Sequence, residues 1–285
     1  AIPVENPVGT APCFIVEHGE GVVISLPGVP REMKYLMTES ILPFLSQRYQ
    51  VGIIKARTLK TAGVGESALD ELLGADLLAA SNPTIGLAAH SGQIDVRITA
   101  KATTEIEADA MIATTEALVM ERAGRYIFGA DGDRLEEKLV DLLRVTGGKL
   151  AVIQAGIGDA LTQALRAVPG AEAVLAEAVV YPDPVAAGVA RGAEEGQSLR
   201  ELGRWLTQRA REQSGALVAI AVLSDPELDE DSDAAEGTVI VVNGPEQIQE
   251  RAYGFGGRSD VARVWGTTWS LSMAWRMLKE FTYAG

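Results

Sequence analysis

The chain has 285 residues, of which 47% are hydrophobic and 22% charged, and its formal net charge is −14. The hydrophobic share is sufficient for a buried core, and the length predicts about two domains, with one or three also open. The acidic balance argues against nucleic acid and against an anionic membrane surface as partners.

Residue usage also limits the metal and redox chemistry. Cys13 is the only cysteine, which excludes an intrachain disulfide and a zinc site made of thiolates. The two histidines, His18 and His90, lie far apart and lack ligand spacing, so we expect no metal and no cofactor in this chain. No apolar run approaches the roughly 18 residues of a membrane span and no signal peptide is visible, so we expect a cytoplasmic protein.

Residues 1–50 contain few predicted elements. A loop rich in Pro and Gly at 4–11 precedes a strand at 21–26 and a helix that carries apolar residues over 33–45. Pro30 suits the start of that helix because its missing N–H is not needed there. One strand and one helix cannot form a core. Since the chain also begins without Met, we expect a fragment that starts within a domain.

Residues 51–130 predict a small α+β domain of order βαββαβ. Its strands and helices are predicted at 53–58, 65–78, 84–90, 94–100, 104–120 and 125–128. Thr104 and Glu107 are expected to form a capping box on the long helix. The buried stripe of that helix is predicted to contain Ile106, Ala110, Ala113, Ala117 and Met120. Glu66 places an acidic side chain where a protein loop that binds nucleic acid needs a basic side chain. The pattern therefore favours a structural spacer over an RNA-binding domain.

Residues 131–285 alternate short apolar runs with helices, which predicts one open α/β sheet with helices on both faces. The strands are predicted at 150–153, 173–181, 217–223, 238–243 and 249–255. Capping boxes are expected at Asp133 with Glu136 and at Ser198 with Glu201.

The strand, turn and helix at 149–165 lie where an open α/β sheet usually places its ligand. Gly156 and Gly158 permit a tight turn, and Asp159 is a candidate helix cap. A dinucleotide fingerprint requires a third glycine, but position 161 is Leu. The turn contains no nucleophile, so a structural turn is favoured, and a phosphate loop stays open.

Two further segments have alternatives. The segment 225–236 carries seven carboxylates and no basic residue, which favours a solvated, mobile loop. A calcium loop would need a glycine and a distal Glu that are missing here. The apolar stripe of the last helix, at 258–280, indicates either core or a dimer contact, and we expect a homodimer.

Three groups of motifs resemble the CinA family (competence/damage-inducible protein A), in the same order along the whole chain. They are NPVGTAP at 6–12 with LPGVPREM at 26–33, GES at 65–67 with VRITA at 96–100, and VPG at 168–170 with VVY at 179–181 and GGR at 256–258. The resemblance implies the end of a molybdopterin-binding-like α/β domain at 1–50, a KH-like α+β domain at 51–130 and a CinA-type α/β domain at 131–285. In the family the last domain is a nicotinamide mononucleotide deamidase. The first is associated with ADP-ribose hydrolysis supported by a divalent metal.

The chain departs from the family pattern where the deamidase chemistry lies. The family's AESCTGG pattern reads IQAGIGD at 153–159, which puts Ala155 in the place of the nucleophilic serine. Tyr181 is kept, but the following SNExK pattern reads PDPVA, so Ala186 replaces the lysine. The TGIAGP loop reads LSDPEL at 223–228. Amide hydrolysis by that route needs an activated hydroxyl, so we expect no catalytic residue and a lost deamidase activity.

The resemblance leaves a set of candidate binding residues. For a phosphorylated nucleotide they are Gly156, Gly158, Tyr181 and Arg258, and the remnant of the first domain contributes Asn6, Gly9, Thr10, Gly28 and Glu32. Arg258 at the start of the last helix would add a bidentate donor to the positive end of the helix dipole. The rival interpretation pairs Arg258 with a surface acid.

Three alternatives for function follow from the same resemblance. The full-length parent could hydrolyse ADP-ribose with a divalent metal. The last domain could be an active nicotinamide-nucleotide amidohydrolase. It could also be a non-enzymatic module for nucleotide binding or dimerisation.

Overall fold

The computed structural model describes residues 1–49, 52–90, 92–229 and 231–283. It contains two compact units. The first consists of Ala1–Lys55 with Ala100–Met111, and the second of Ala56–Thr99 with Ile112–Gly285. The division predicted from the sequence, at 1–50, 51–130 and 131–285, stays a prediction.

Residues 1–49 form a three-stranded antiparallel sheet followed by helix. The elements are β1 (Ile2–Val4), β2 (Cys13–His18), β3 (Gly21–Ser25), α1 (Pro30–Leu36), a π-helical turn (Met37–Ile41) and α2 (Leu42–Tyr49). The prediction of a single strand was wrong, because β2 pairs on both sides. It buries only Cys13 and Ile15 against Leu36 and Ile41, too short an alternation to stand out in the sequence.

The βαββαβ order predicted next is confirmed. The elements are β4 (Ile53–Ala62), α3 (Glu66–Leu73), α4 (Ala75–Leu78), β5 (Thr84–His90), β6 (Gln93–Ala102), α5 (Glu105–Ala123) and β7 (Ile127–Ala130). The sheet order is β5-β6-β4-β7. The predicted hairpin joins β5 to β6, and Ser91 in its turn lies outside the described residues. Inward Ile94, Val96 and Ile98 alternate with more exposed neighbours, as the period of two requires.

The predicted buried stripe of α5 was wrong. Ile106 is 83% exposed and Met120 is 44% exposed. The residues that are buried are Ala108, Ile112, Thr115, Val119 and Ala123. The helix is rich in Ala, and several faces of it satisfy the helical period, so periodicity alone did not identify the inward one.

The C-terminal residues form a single open sheet, as predicted. The elements are α6 (Leu135–Thr146), β8 (Leu150–Ala155), α7 (Ala160–Arg166), β9 (Leu175–Tyr181), α8 (Pro184–Arg191), α9 (Leu199–Ser214), β10 (Val218–Ser224), β11 (Thr238–Asn243), β12 (Ile248–Tyr253) and α10 (Asp260–Tyr283). The sheet order is β12-β11-β10-β8-β9, with β8, β9 and β10 parallel. Strands β8, β10 and β11 are buried along their whole length, which is why they are almost entirely apolar.

Helices cover both faces of this sheet. One face packs against α6, α7 and α10 through a core that includes Leu139, Leu161 and Trp275. The other packs against α8 and α9 through Leu206 and Ala210. The stripe of α10 is therefore mostly core, since Leu271, Trp275 and Leu278 are all buried within the chain.

The helix caps divide into two groups. The capping box of Ser198 and Glu201 is confirmed. The box expected at Asp133 is wrong, because the Asp133 carboxylate accepts from the N–H of Ala130 and pairs with Lys138 instead.

The first turn of α7 is capped by Gln154 and not by Asp159, the residue expected from the sequence. Asp159 makes no capping bond to the backbone and accepts from the side-chain amide of Gln163 instead. Gln154, which is 2% exposed, accepts from the N–H of Thr162 at 2.9 Å and from its hydroxyl at 2.8 Å. A buried side chain of β8 therefore satisfies the first turn of α7.

We expect Gln154→Leu to lower the free energy of unfolding by about 1–3 kcal/mol, because both donors of Thr162 would lose their buried acceptor. Urea denaturation measures the loss. Gln163→Leu, on the exposed side of the same helix, is the control and should stay within about 0.5 kcal/mol. Equal effects of the two variants would contradict the capping role.

A charged cluster ties α9 to the edge strand β12. Arg200 donates to Glu250 at 2.8 Å and to Glu236 at 2.9 Å, and Arg204 also pairs with Glu250. The guanidinium of Arg204, and then that of Arg200, hold the pKa of the Glu250 carboxyl below its ordinary value of 4.5 against the opposing effect of partial burial.

Because the folded-state pKa of Glu250 is depressed, its stabilising contribution is complete above pH 4.5 and is lost as the pH falls through the folded-state value. We expect Glu250→Gln to cost about 1 kcal/mol at pH 7 and to differ less from the wild type as the pH falls below 4.5. Denaturation at a series of pH values measures this difference. The exposed Glu246→Gln is the control, and a pH-independent difference at Glu250 would contradict the account.

Candidate functional site

Position 155 ends β8, where the sequence predicts the ligand. Ala155 is fully buried and lies in register with Tyr181 of β9 and Leu223 of β10. Its methyl group can neither attack a carbonyl carbon nor give up a proton. The last residue of the strand therefore contributes packing and no nucleophile.

Two glycines, one of which directly follows Ala155, bring distant backbone segments into contact. Gly156 has a φ of +73°, and a Cβ there would overlap the carbonyl oxygen of Ser224. A Cβ added at Gly257 would in turn overlap the carbonyl oxygen of Gly156. The backbones of 156 and 257 are thus in direct contact, with no room for a side chain between them.

The segment 256–258 uses its N–H groups within the protein. The bonds run from Gly256 to the carbonyl of Asp229 at 3.2 Å, from Gly257 to that of Asp225 at 2.8 Å, and from Arg258 to that of Leu228 at 3.0 Å. Successive N–H groups of this kind form a phosphate cradle only when they are free. Here they anchor the start of the acidic segment, so 225–229 is not the freely solvated loop that its charge predicted.

The first turn of α10 is also satisfied internally. The hydroxyl of Ser259 accepts from the N–H of Val261 at 3.1 Å and from that of Ala262 at 3.3 Å. Arg258 pairs with Glu227 on the surface, where the two side chains are 61% and 75% exposed. This is the contact described by the rival interpretation. Binding of a nucleotide at Arg258 stays a prediction and would require that this exposed pair break.

The other two candidates differ in their surroundings. The hydroxyl of Tyr181 accepts a hydrogen bond from Arg191 at 3.0 Å, and Arg191 also pairs with the largely buried Glu177. Gly158 has a φ of +79°, and nothing lies within 4 Å of the position of its missing Cβ. Tyr181 is thus held in a strand–helix network, while Gly158 is open.

The position of the family lysine lies in the first turn of α8. Asp183 caps that helix by accepting from the N–H of Ala186 at 2.7 Å, and Pro184 occupies the next position. This helix was not predicted, although an Asp followed by a Pro is an ordinary start signal. Ala186 carries no group that could move a proton.

The N-terminal candidates form a small polar cluster in the first unit. The side-chain amide of Asn6 donates to the carboxylate of Glu32 at 2.6 Å and to the carbonyl of Ala11 at 3.0 Å. Gly9 lies against the same carboxylate, which would overlap any Cβ at that position. Thr10 and Gly28 are exposed. The structure therefore brings Asn6, Gly9 and Glu32 together.

Within the described ranges, no three His, Cys, Asp or Glu side chains are grouped so that they could hold a metal ion. In the same part of the chain, no helix has the length and apolar character that crossing a bilayer would require.

The fold defines the class of the protein: a KH-like α+β region followed by an open α/β sheet of the CinA type. The family model described as "Damage-inducible protein CinA KH domain" matches residues 56–129. A CinA-like protein of Frankia casuarinae is 34% identical over 291 residues, covering 98% of this chain and 67% of that protein. The chain therefore belongs to the CinA family.

Other relatives cover smaller parts. A CinA-like protein of Gloeobacter violaceus is 41% identical over 179 residues, which is 61% of this chain and 41% of that protein. The chain thus spans about two fifths to two thirds of the length of such relatives. The crystal structure of a competence or damage-inducible protein from Enterobacter asburiae aligns with 51% of this chain and 99% of its own, at 19% identity and a TM-score of 0.43.

Sequence reasoning missed three residues that decide what this region can do. Gln154 caps α7, Gly257 covers Gly156, and Ser259 caps α10. Ser259 immediately before an acidic helical residue is a usual start signal and could have been found. The contact between Gly156 and Gly257 joins positions about a hundred residues apart and leaves no local pattern.

We expect Gly257→Ala to destabilise the protein by about 1–3 kcal/mol or more, because the added methyl would overlap the carbonyl of Gly156 and force the two backbones apart. Thermal and urea denaturation measure the change. Gly132→Ala is the control, since that exposed glycine has open space around it and no positive φ. A neutral Gly257→Ala would contradict the close packing of the two segments.

Proposed function

We propose that this chain is a cytoplasmic CinA-like protein, related to pyridine-nucleotide salvage, whose C-terminal domain keeps the deamidase-type fold without deamidase chemistry. The single observation that carries the proposal is Ala155, a buried methyl group at the strand end where the family resemblance puts the nucleophile. Amide hydrolysis through a covalent intermediate requires a hydroxyl or thiol together with a base that activates it.

The surroundings of Ala155 support the same proposal. An enzyme that forms an oxyanion needs donors aimed into open space beside the nucleophile. Here the N–H groups of Gly257 and Arg258 are bonded to carbonyls of 225–229, and the N–H of Ala186 is bonded to Asp183. These three donors each have a structural partner. The domain would then serve as a packed module, and in our proposal it is also where a homodimer forms.

A second candidate function comes from the first domain of the family. The family resemblance implies hydrolysis of ADP-ribose with a divalent metal, and the Asn6–Glu32 pair would be part of that nucleotide site. These two residues supply one carboxylate and one amide, already bonded to each other. A divalent cation takes about six oxygen ligands, so they do not fit a complete metal site, and no catalytic step is assigned to them.

An ammonia-release assay with nicotinamide mononucleotide tests the proposal. We expect turnover far below the ordinary enzyme range of about 1–1,000 per second. We also expect Ala155→Ser to stay inactive, because Ala186 at the position aligned with the family lysine supplies no base to activate the new hydroxyl. A family member with an intact serine and lysine is the positive control. Turnover of about 1 per second or faster by the wild-type chain would overturn the proposal.

A further inference from the structure

A cleft of about 390 Å³ lies within the second unit, away from the end of β8. Its walls come from the β5–β6 hairpin on one side and from β12 and α10 on the other. The residues that matter for its chemistry are His90, Gly92, Arg251, Trp265 and Trp269. The two tryptophans are four apart on α10, so they face the same side of the helix one turn apart.

Arg251 is the unusual group in this cleft. Its guanidinium carbon lies 3.4 Å from the ring centre of Trp269 and 5.2 Å from that of Tyr253. No carboxylate among the described residues pairs with it, although the chain carries 39 acidic side chains and many of its other arginines have an acidic partner. Arg251 also interacts with the hydroxyl of Tyr253. A guanidinium has five N–H donors, so this partly buried cation on an aromatic face still has donors for another group.

A second donor lies in the same cleft. The indole nitrogen of Trp269 is buried and has no hydrogen-bond partner among the residues that the structure describes. It lies against Gly92, where an added Cβ would be 3.3 Å from that nitrogen. Gly92 has a φ of +78°, so a side chain is disfavoured there on conformational grounds as well. A buried N–H without an acceptor costs free energy unless a water or a ligand supplies one.

Trp265 provides a fixed flat surface. Its ring contacts Tyr253 edge-on, with centroids 5.5 Å apart, and Phe255 at 6.0 Å. Tyr253 and Phe255 are themselves stacked at 4.9 Å. Rings held in this way lose little conformational entropy when another ring stacks on them.

We propose that this cleft binds a small molecule with a flat ring and an anionic group. The anionic group accepts hydrogen bonds from Arg251 and from the indole N–H of Trp269, and the ring lies on Trp265. Glu66 also lines the cleft, but it is exposed and hydrated, so it opposes the anion only weakly. Asp95 lies 3.8 Å from His90, and its carboxylate pairs with Lys60 at 2.7 Å, so it adds no unpaired negative charge. Nucleoside monophosphates and aromatic carboxylates both have this chemistry.

Tryptophan fluorescence of the whole chain tests the proposal with four probes: adenosine monophosphate, adenosine, benzoate and inorganic phosphate. Two of the probes combine a ring with an anionic group. We expect one of these two to quench the tryptophan fluorescence saturably, with a Kd below about 1 mM. Adenosine and phosphate should each bind at least about tenfold more weakly, since adenosine lacks the anionic group and phosphate lacks the ring. Binding of adenosine monophosphate would identify the ligand as a nucleoside monophosphate, and binding of the carboxylate would identify it as an aromatic carboxylate.

Variants then assign the contacts. Arg251→Met keeps the length of the stem and removes the charge, so it should weaken binding at least about tenfold. Trp269→Phe removes the N–H and should weaken binding several-fold. Arg209→Met is the matched control, because it removes the same charge from a surface pair with Glu212 outside the cleft, and it should leave the Kd within about twofold. Arg251→Lys keeps the charge, so partial binding by this variant separates lost contact from misfolding.

The proposal would be overturned if neither of the two probes that combine a ring with an anionic group quenches the tryptophan fluorescence saturably up to about 10 mM. Adenosine that binds as tightly as its monophosphate, or a folded Arg251→Met variant with unchanged affinity, would overturn it too. Loss of binding in Arg258→Met, with unchanged affinity in Arg251→Met, would place the ligand at the start of α10 and would also overturn the proposal.

Discussion

The contact between the backbones of Gly156 and Gly257 is the constraint on which our account of the C-terminal sheet depends. The turn after β8 is where a parallel sheet normally receives a ligand. In this chain that place is taken by the segment before α10, whose N–H groups bond to carbonyls of 225–229. Three loops from distant parts of the sequence thus pack on one another, and none of their contacts needs a catalytic side chain.

Fold and chemistry are physically separable here. The sheet is held by strands buried along their whole length and by apolar cores on both of its faces. These contacts depend on side-chain volume and not on whether position 155 carries a hydroxyl. In the proposed alignment, alanine in place of the family serine at the end of a buried strand would remove a nucleophile and leave the core intact. This explains how the alternation of strands and helices persists beside motifs that have changed.

The sequence predicted the features that follow from local pattern. The open sheet, the βαββαβ order and the Ser198–Glu201 box each leave a regular signal within a few residues. The inward face of α5 was misplaced because alanine fits several faces equally well. The cap supplied by Gln154, the pairing of Arg258 and the cleft around Arg251 escaped prediction because each depends on residues that meet only in the folded chain. The two tryptophans at helical spacing on α10 can be read from the sequence. An arginine without a carboxylate partner can be recognised only from coordinates.

Amide hydrogen exchange by NMR at 156 and 256–258 tests the central claim most directly, because closure of the strand end rests on those N–H groups. The account predicts slow exchange of Gly256, Gly257 and Arg258 in the free protein, close to that of the buried strands, and no change when nicotinamide mononucleotide is added. Fast exchange in the free protein that becomes slow with the nucleotide would contradict it, since the N–H groups would then be an open anion site.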